Sequence, residues 1–283
     1  SNSSASVTTN GAYMVIKPGT HILKVRYWVK DVATNVEGTI TKTLPSTAYA
    51  SNTYYDMTAN LNVRNYDGDK YYMWDALQNY WAGHEWNSLS PWQPTLTTQP
   101  ANPGYPQGIG GSRFYNDSYP GYGISNPATQ TSCKDLPNPN EMTWYAKYGD
   151  PRWDVDELWT TMGHLYKGGI WLKKKANIGG FNANLGTYAG GPVDLRSQFH
   201  ADTWSVLNTL PSAAEANNFF YLPALGRYDS GQLYDVGNHG YYWSSNTNPA
   251  TQYGVYALDF DDHNIHVNYI HPRSSGYIVG VFE

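Results

Sequence analysis

The stretch DVDELWTTMGHLYKGG, Asp154–Gly169, decides how the second half of the chain is read. Val155, Leu158, Trp159, Met162, Leu165 and Tyr166 recur at spacings of three and four, the apolar stripe of an amphipathic helix. Asp154 stands where an N-cap would, Glu157 follows three residues later, and Gly168 can end the helix. On this reading Asp154, Asp156 and Glu157 are carboxylates at a helix start, favoured there by the dipole without any catalytic role. Ser212 and Glu215 repeat the capping-box spacing and predict a second, short helix.

Downstream, the sequence turns to strands. YGVYALDF, a turn at Asp261-Asp262-His263-Asn264, IHVNYI and GYIVGVFE read as a hairpin and a final strand. Upstream, residues 13–66 read as β. In HILKVRYWV, Ile22, Lys24, Arg26 and Trp28 take one face and Leu23, Val25, Tyr27 and Val29 the other. EGTITKTLP is a further strand, and TYYDMTANLNVRNY reads as a long one. Four or five strands fall short of the roughly seven of a complete sandwich. In residues 67–136, YYMWDALQNYWAGHEW has helical spacing at Tyr72, Ala76 and Tyr80. The irregular run after it is expected to be pinned by Trp86, Trp92, Tyr105, Phe114, Tyr115, Tyr119 and Tyr122. The expected fold class is therefore α+β: a β-rich region over 1–66, an aromatic connecting segment over 67–136 packed on the last domain, and an α+β domain over 137–283.

Composition narrows the function. Charged residues make up 14% of the 283 positions and aromatics 16%, with 26 Tyr and 11 Trp. A surface that is polar without being charged suits an exported or surface-displayed protein. The net charge of −5 argues against a nucleic-acid partner, which calls for a basic stripe. Lys173-Lys174-Lys175 reads as the wet end of a strand. The lone Cys133 rules out an intramolecular disulfide and a multi-cysteine zinc site. No run of about 18 apolar residues is present, so membrane attachment is expected only through an anchor outside this chain. The opening SNSSASVTTNG reads as a polar arm with no signal peptide.

Catalytic motifs are absent. No Gly-x-Ser-x-Gly elbow surrounds Ser244 or Ser245. His84-Glu85 lacks the second histidine of a helical zinc motif. His263, His266 and His271 read as hairpin residues. Asp259, Asp261 and Asp262 cluster at the hairpin tip, where hard oxygen ligands suit calcium. They are the calcium candidates, and no other cofactor is expected. The same pair, Asp259 and Asp261, is the carboxylate pair a glycoside-cleaving enzyme would use.

From Tyr221-Leu222-Pro223-Ala224-Leu225-Gly226-Arg227-Tyr228, through Gly231-Gln232-Leu233 and Val236-Gly237, to Gly240–Ser245, the pattern resembles bacterial domains with a C-type-lectin-like fold, of the Fibrobacter major-paralogous type. The resemblance covers about residues 137–283. YYMWDA, YWAGHEW, PWQP and SCKDLPNPNEMTWYAKYGDPRWD are similar to surface proteins of Bacteroides-type gut bacteria. In those, a fimbrillin-like β domain precedes the lectin-like one, and ITKTLPSTAYASNTYYDMTANLNV resembles the later strands of such a domain.

The resemblance implies a non-catalytic, fimbria-associated adhesin at the cell surface or outer membrane. Its ligand would be a host or microbial glycan or protein. The alternative is a structural pilus subunit that assembles with other subunits by strand addition. It also implies that Tyr242-Trp243-Ser244-Ser245 is a structural strand. The Glu-Pro-Asn, Gln-Pro-Asp and Trp-Asn-Asp segments of calcium-dependent animal lectins are missing, as is the cysteine pair of formylglycine-generating enzymes. Polarity and turn chemistry mark Tyr228, Asp229, Asn238, His239, Asn246 and Asn248 as the ligand-facing residues.

Overall fold

The computed structural model describes residues 11–57, 60–98, 103–108, 110–116, 127–251, 253–280 and 282–283. Tyr119 and Tyr122, and most of the N-terminal arm, lie outside the described residues. In chain order the elements are β1 (Gly19–His21), β2 (Lys24–Lys30), β3 (Glu37–Thr43), β4 (Thr47–Tyr49), β5 (Arg64–Tyr66), β6 (Tyr71–Tyr72) and α1 (Pro139–Tyr148). After α1 come β7 (Arg152–Thr161), β8 (His164–Lys173), β9 (Gly186–Tyr188), β10 (Gly191–Val193), β11 (Asp202–Ser205) and β12 (Phe219–Pro223). The last are β13 (Arg227–Asp229), β14 (Gln232–Tyr234), β15 (Gly240–Thr247), β16 (Gly254–Phe260), β17 (Asn264–Pro272) and β18 (Tyr277–Ile278). The fold is sheet-rich, with one α-helix among the described residues. Two compact units divide the chain: residues up to Tyr66 with Leu158–Tyr166, and Asp67–Glu157 with Lys167–Glu283.

In the first unit β1 pairs antiparallel with β4, and β2 with β3. The alternation in β2 holds: Val25, Tyr27 and Val29 are half-buried while Lys24, Arg26 and Trp28 face solvent. Among the described residues, the long strand expected over TYYDMTANLNVRNY is reduced to β5. Asn52 and Asn62, with φ of 54° and 52°, take left-handed conformations that interrupt an extended chain. β5 runs parallel to the end of β7, Arg64 beside Trp159. Asp31 ties the unit together. Its Oδ1 accepts the Ala33 amide at 2.8 Å, and its Oδ2 accepts the Leu165 amide at 2.8 Å.

Asp154–Gly169 is not a helix. It is the β7–β8 hairpin, turning at Met162 and Gly163 with φ of 47° and 78°. Two consecutive left-handed residues fit the twist of a two-residue hairpin turn. Asp154 does behave locally as a cap does: its Oδ1 accepts the amides of Asp156 and Glu157, each at 3.0 Å. Its Oδ2 instead accepts Trp171 Nε1–H at 3.0 Å from β8, so the carboxylate braces a strand. Val155, assigned to the apolar stripe, is 56% exposed.

Among the described residues the α-helix lies earlier. Asn138 Oδ1 accepts the Glu141 amide at 3.0 Å, Glu141 Oε2 accepts the Asn138 amide at 3.1 Å, and Pro139 opens α1. The helix expected from Ser212 is only a 3₁₀ turn at Ala216–Asn218, although Ser212 Oγ does donate to Glu215 at 2.6 Å. YYMWDALQNYWAGHEW is also not helical. It forms β6 and a series of turns, with Asp75 at φ 58° and Gly83 at φ 80°. Its aromatics are core all the same: Tyr71, Trp74, Tyr80 and Trp81 are almost fully buried. The expected pin Trp92 is 36% exposed.

The second unit is built on a six-stranded sheet in the order β11-β17-β16-β15-β18-β6, antiparallel except for β15 beside β18. Every residue of β15 and β16 is buried, so both faces of these central strands are covered. One face carries Trp74, Cys133, Tyr241, Trp243, Val255, Ala257 and Tyr277 as a single cluster. On the other, Tyr242 stacks on Phe260 at 5.8 Å, and Trp153 meets Phe260 edge-on at 6.5 Å. Cys133 Sγ accepts the Asp75 amide at 3.3 Å, and burial pushes its thiol up to about 12. Lys173, Lys174 and Lys175 end β8 in ion pairs with Asp150, Glu283 and Glu141.

Candidate functional site

The polar residues picked from the sequence separate into two sets. Tyr228 belongs to the core. It is fully buried, stacks on Tyr80 at 5.5 Å, meets Tyr71 edge-on at 4.8 Å, and donates its hydroxyl to Pro94 O at 2.6 Å. Asn246 and Asn248 are also interior, 6% and 1% exposed. Asn246 is fixed by Ser244 Oγ, which accepts its amide at 3.2 Å, and by Ser245 Oγ, which donates to its Oδ1 at 3.1 Å. Asn248 Oδ1 accepts the Ala250 amide at 2.6 Å and shapes the turn from β15 to β16. These three residues hold the scaffold and are not ligand-facing. The serines after Trp243 are spent in the same way, which answers for them as nucleophiles.

Asp229, Asn238 and His239 lie at the surface, on the β13–β14 hairpin and the turn after it, with Asp229 and Asn238 exposed and His239 half-buried. In the β13–β14 hairpin, Tyr228 pairs with Leu233 and both point inward. The flanking pairs Arg227–Tyr234 and Asp229–Gln232 therefore point outward. Arg227 lies over the Tyr234 ring at 5.9 Å, Tyr234 is 40% exposed, and its hydroxyl donates to Gln232 Oε1. The turn leading to β15 adds Asp235, Asn238 and His239. Asp235 accepts Arg227 Nη1–H at 2.9 Å. Its backbone carbonyl accepts the amides of Asn238 at 3.0 Å and His239 at 2.9 Å.

A buried polar chain stands behind this surface. Asp259, 8% exposed, accepts His271 Nε2–H at 3.1 Å, and His271 Nδ1 lies 3.0 Å from the Tyr277 hydroxyl. A carboxylate only accepts, so Nε2 carries the hydrogen; in the neutral imidazole Nδ1 then accepts from Tyr277. The second oxygen of Asp259 lies 3.9 Å from His239 Nε2. Burial alone would push the Asp259 carboxyl up, but the nearby His239 imidazole, the bond to His271 and the charges His271 and His266 can carry outweigh it and hold it at about 2. His239 stacks on Tyr241 at 4.9 Å, and Tyr241 packs on Tyr277 at 5.0 Å. Burial, with the Asp235 and Asp259 carboxylates, raises the Tyr241 hydroxyl.

This arrangement separates Asp259 from the other two calcium candidates, Asp261 and Asp262. Asp259 is committed to imidazoles, and the cluster at the hairpin tip is Asp261, Asp262 and His263. Asp261 Oδ1 accepts the amides of His263 and Asn264, each at 2.8 Å, and Asp262 Oδ1 lies 2.5 Å from His263 Nδ1. One oxygen spent on the turn and one nitrogen ligand fit calcium poorly.

The hairpin depends on Gly226. Its φ is +68°, and a Cβ there would overlap the Tyr234 carbonyl oxygen, a backbone atom that no rotamer change can clear. Gly226→Ala is expected to cost about 3 kcal/mol or more. A urea midpoint unchanged from that of the parent chain would show that β13 and β14 close without it.

Sequence reasoning missed Arg227, Gln232, Tyr234 and Asp235. The alternation across Tyr228-x₄-Leu233 was the available signal, with Ser230-Gly231 as the turn. Compared with protein-family models, curated proteins and solved structures, the chain matches none.

Proposed function

We propose that the chain is a non-catalytic bacterial surface protein of the fimbria-associated adhesin type, with a C-terminal C-type-lectin-like domain that binds a glycan or protein ligand. The observation that supports this reading is the outward face of the β13–β14 hairpin with the turn after it. Tyr234 offers a half-open ring, Asp229 and Gln232 offer polar groups on the same face of the hairpin, and Asn238 and His239 add acceptors and donors from the turn that follows. Tyr228 and Leu233 anchor that surface from below, so it is presented on a rigid support. Asp259 and Asp261 lie apart in function, one tied to histidines and one to a turn, which argues against a glycosidase pair.

The test is a glycan and matrix-protein array, run with calcium and with chelator. Saturable binding that falls about tenfold in Tyr234→Ala or Asp229→Ala, with the melting temperature unchanged, supports the adhesin reading. Silence across the array from a folded sample favours a structural pilus subunit. That second reading has its own support. Among the described residues β2 and β3 pair only with each other, no residue of either strand is fully buried, and Trp28 and Ile22 are about two-thirds exposed. Such a sheet has edges open to an added strand.

A further inference from the structure

The turn from Asp235 to His239 is held to the sheet by contacts of unequal strength. Its backbone is held by four amide bonds: Asn238 and His239 to the Asp235 carbonyl, Gly237 to the Ala224 carbonyl at 2.7 Å, and Gly226 to the His239 carbonyl at 2.8 Å. Its Asp235 side chain is secured by Arg227 at 2.9 Å. Its His239 side chain is not secured. Nε2 stops 3.9 Å from Asp259, beyond hydrogen-bond reach, although the ring lies nearly parallel to Tyr241 and is a quarter exposed. The carboxylate it faces is buried and shared with His271.

We propose that this turn is a proton-operated latch on the ligand-facing surface. When His239 takes up a proton, its imidazolium closes the gap to Asp259 and locks the Asp235–His239 turn against β16.

The charges around His239 favour that movement. From β16 it faces Asp259. From its own turn it faces Asp235, already paired with Arg227 of β13. From β15 it faces the Tyr241 ring, whose π face gains attraction for a cation. Beyond Asp259, β17 supplies His271 and, directly across the strand pair, His266; β18 supplies Tyr277. Tyr277 limits the competition from His271. In the neutral chain Tyr277 donates to His271 Nδ1. A second proton on His271 would turn that nitrogen into a donor and force the nearly buried hydroxyl to redirect its own hydrogen. His239 has no such obstacle, since its ring is partly open to water. Of the two imidazoles on Asp259, the solvent-side one is therefore the one that moves. A lock at this point fixes Asn238 and His239 together, and through Asp235 it steadies Arg227 under Tyr234. The consequence for ligand binding rests on the proposed function; the latch does not.

The test needs no ligand. Amide hydrogen exchange, corrected for intrinsic rates, is followed by NMR on the full chain at pH 8 and pH 5. The Gly226, Asn238 and His239 amides are expected to gain about three- to fivefold protection at pH 5, the scale of a partly exposed ion pair. The Leu258 amide in the central strand should not change. The gain should vanish in His239→Gln, which keeps a polar side chain but cannot be charged, and persist in His266→Gln. No gain in the parent chain, an equal gain at Leu258, or a gain that survives in His239→Gln would each overturn the latch.

Discussion

Trp243→Ala is expected to destabilise the C-terminal unit by about 4 kcal/mol, the upper range for emptying a buried aromatic site. The indole is fully buried and stacks on Tyr277 at 4.2 Å. It also donates Nε1–H to Tyr72 O at 2.8 Å, which joins β15 to the edge strand β6. Removing the ring leaves a cavity and takes one donor away from the Tyr72 carbonyl. On the neighbouring strand Ala257 has no atoms to spare for filling the space. Trp243→Phe keeps most of the stack but not the donor, so its cost should be roughly 1–2 kcal/mol. Denaturant unfolding at pH 7 measures both. A loss below about 1 kcal/mol for Trp243→Ala would mean that the sheet face closes over the gap and that Trp243 is not its keystone.

Asp259→Asn is expected to cost roughly 2 kcal/mol at neutral pH and almost nothing near pH 2. The carboxyl falls from an ordinary 3.8 to about 2 on folding, which corresponds to roughly 2 kcal/mol held by the charged form. Because the folded value is the lower one, this contribution is complete above about pH 4 and is lost as pH falls towards 2. The amide can still accept from His271, so the loss reflects charge more than an empty bond. Asp259→Ala should cost more, about 3 kcal/mol, since His271 Nε2–H is then buried without an acceptor. Stability curves of parent and Asp259→Asn chains between pH 7 and pH 2 decide the matter. Parallel curves would show that Asp259 gains nothing from its histidines.

The strands with a wet face or a clear turn between them were legible in the sequence. β2 and β3 alternate because one side is exposed, and the hairpin of β16 and β17 is flagged by Asp261–Asn264 between apolar runs. The reading failed at β7 and β8. β7, the turn after it and β8 carry Leu158, Trp159, Met162 and Tyr166, all buried, and the spacing of these residues passes for a helical stripe. Asp154 deepened the error, because its bonds to the amides two and three residues on are those of a helix cap. Met162-Gly163 was the counter-signal. At the site, turn chemistry marked Asp229, Asn238 and His239, which lie at the surface of the β13–β14 hairpin and the turn after it. The same chemistry misplaced Asn246 and Asn248, whose amides serve a turn that the sheet then buries. The link from Asp259 to His271 depends on strand pairing across β16 and β17, which composition and spacing do not reveal.

Cys133 gives the C-terminal unit a silent gauge. With its sulfur fully enclosed and its thiol held near 12, the thiolate that alkylating and oxidising reagents need is scarce at neutral pH, and the sulfur is out of their reach. Only an opening that parts Asp75 from the sheet face under Trp74 and Trp243 would present it to solvent. The rate at which a reagent consumes that single thiol is therefore a clock for how often the unit breathes open, with no second cysteine to confuse the count.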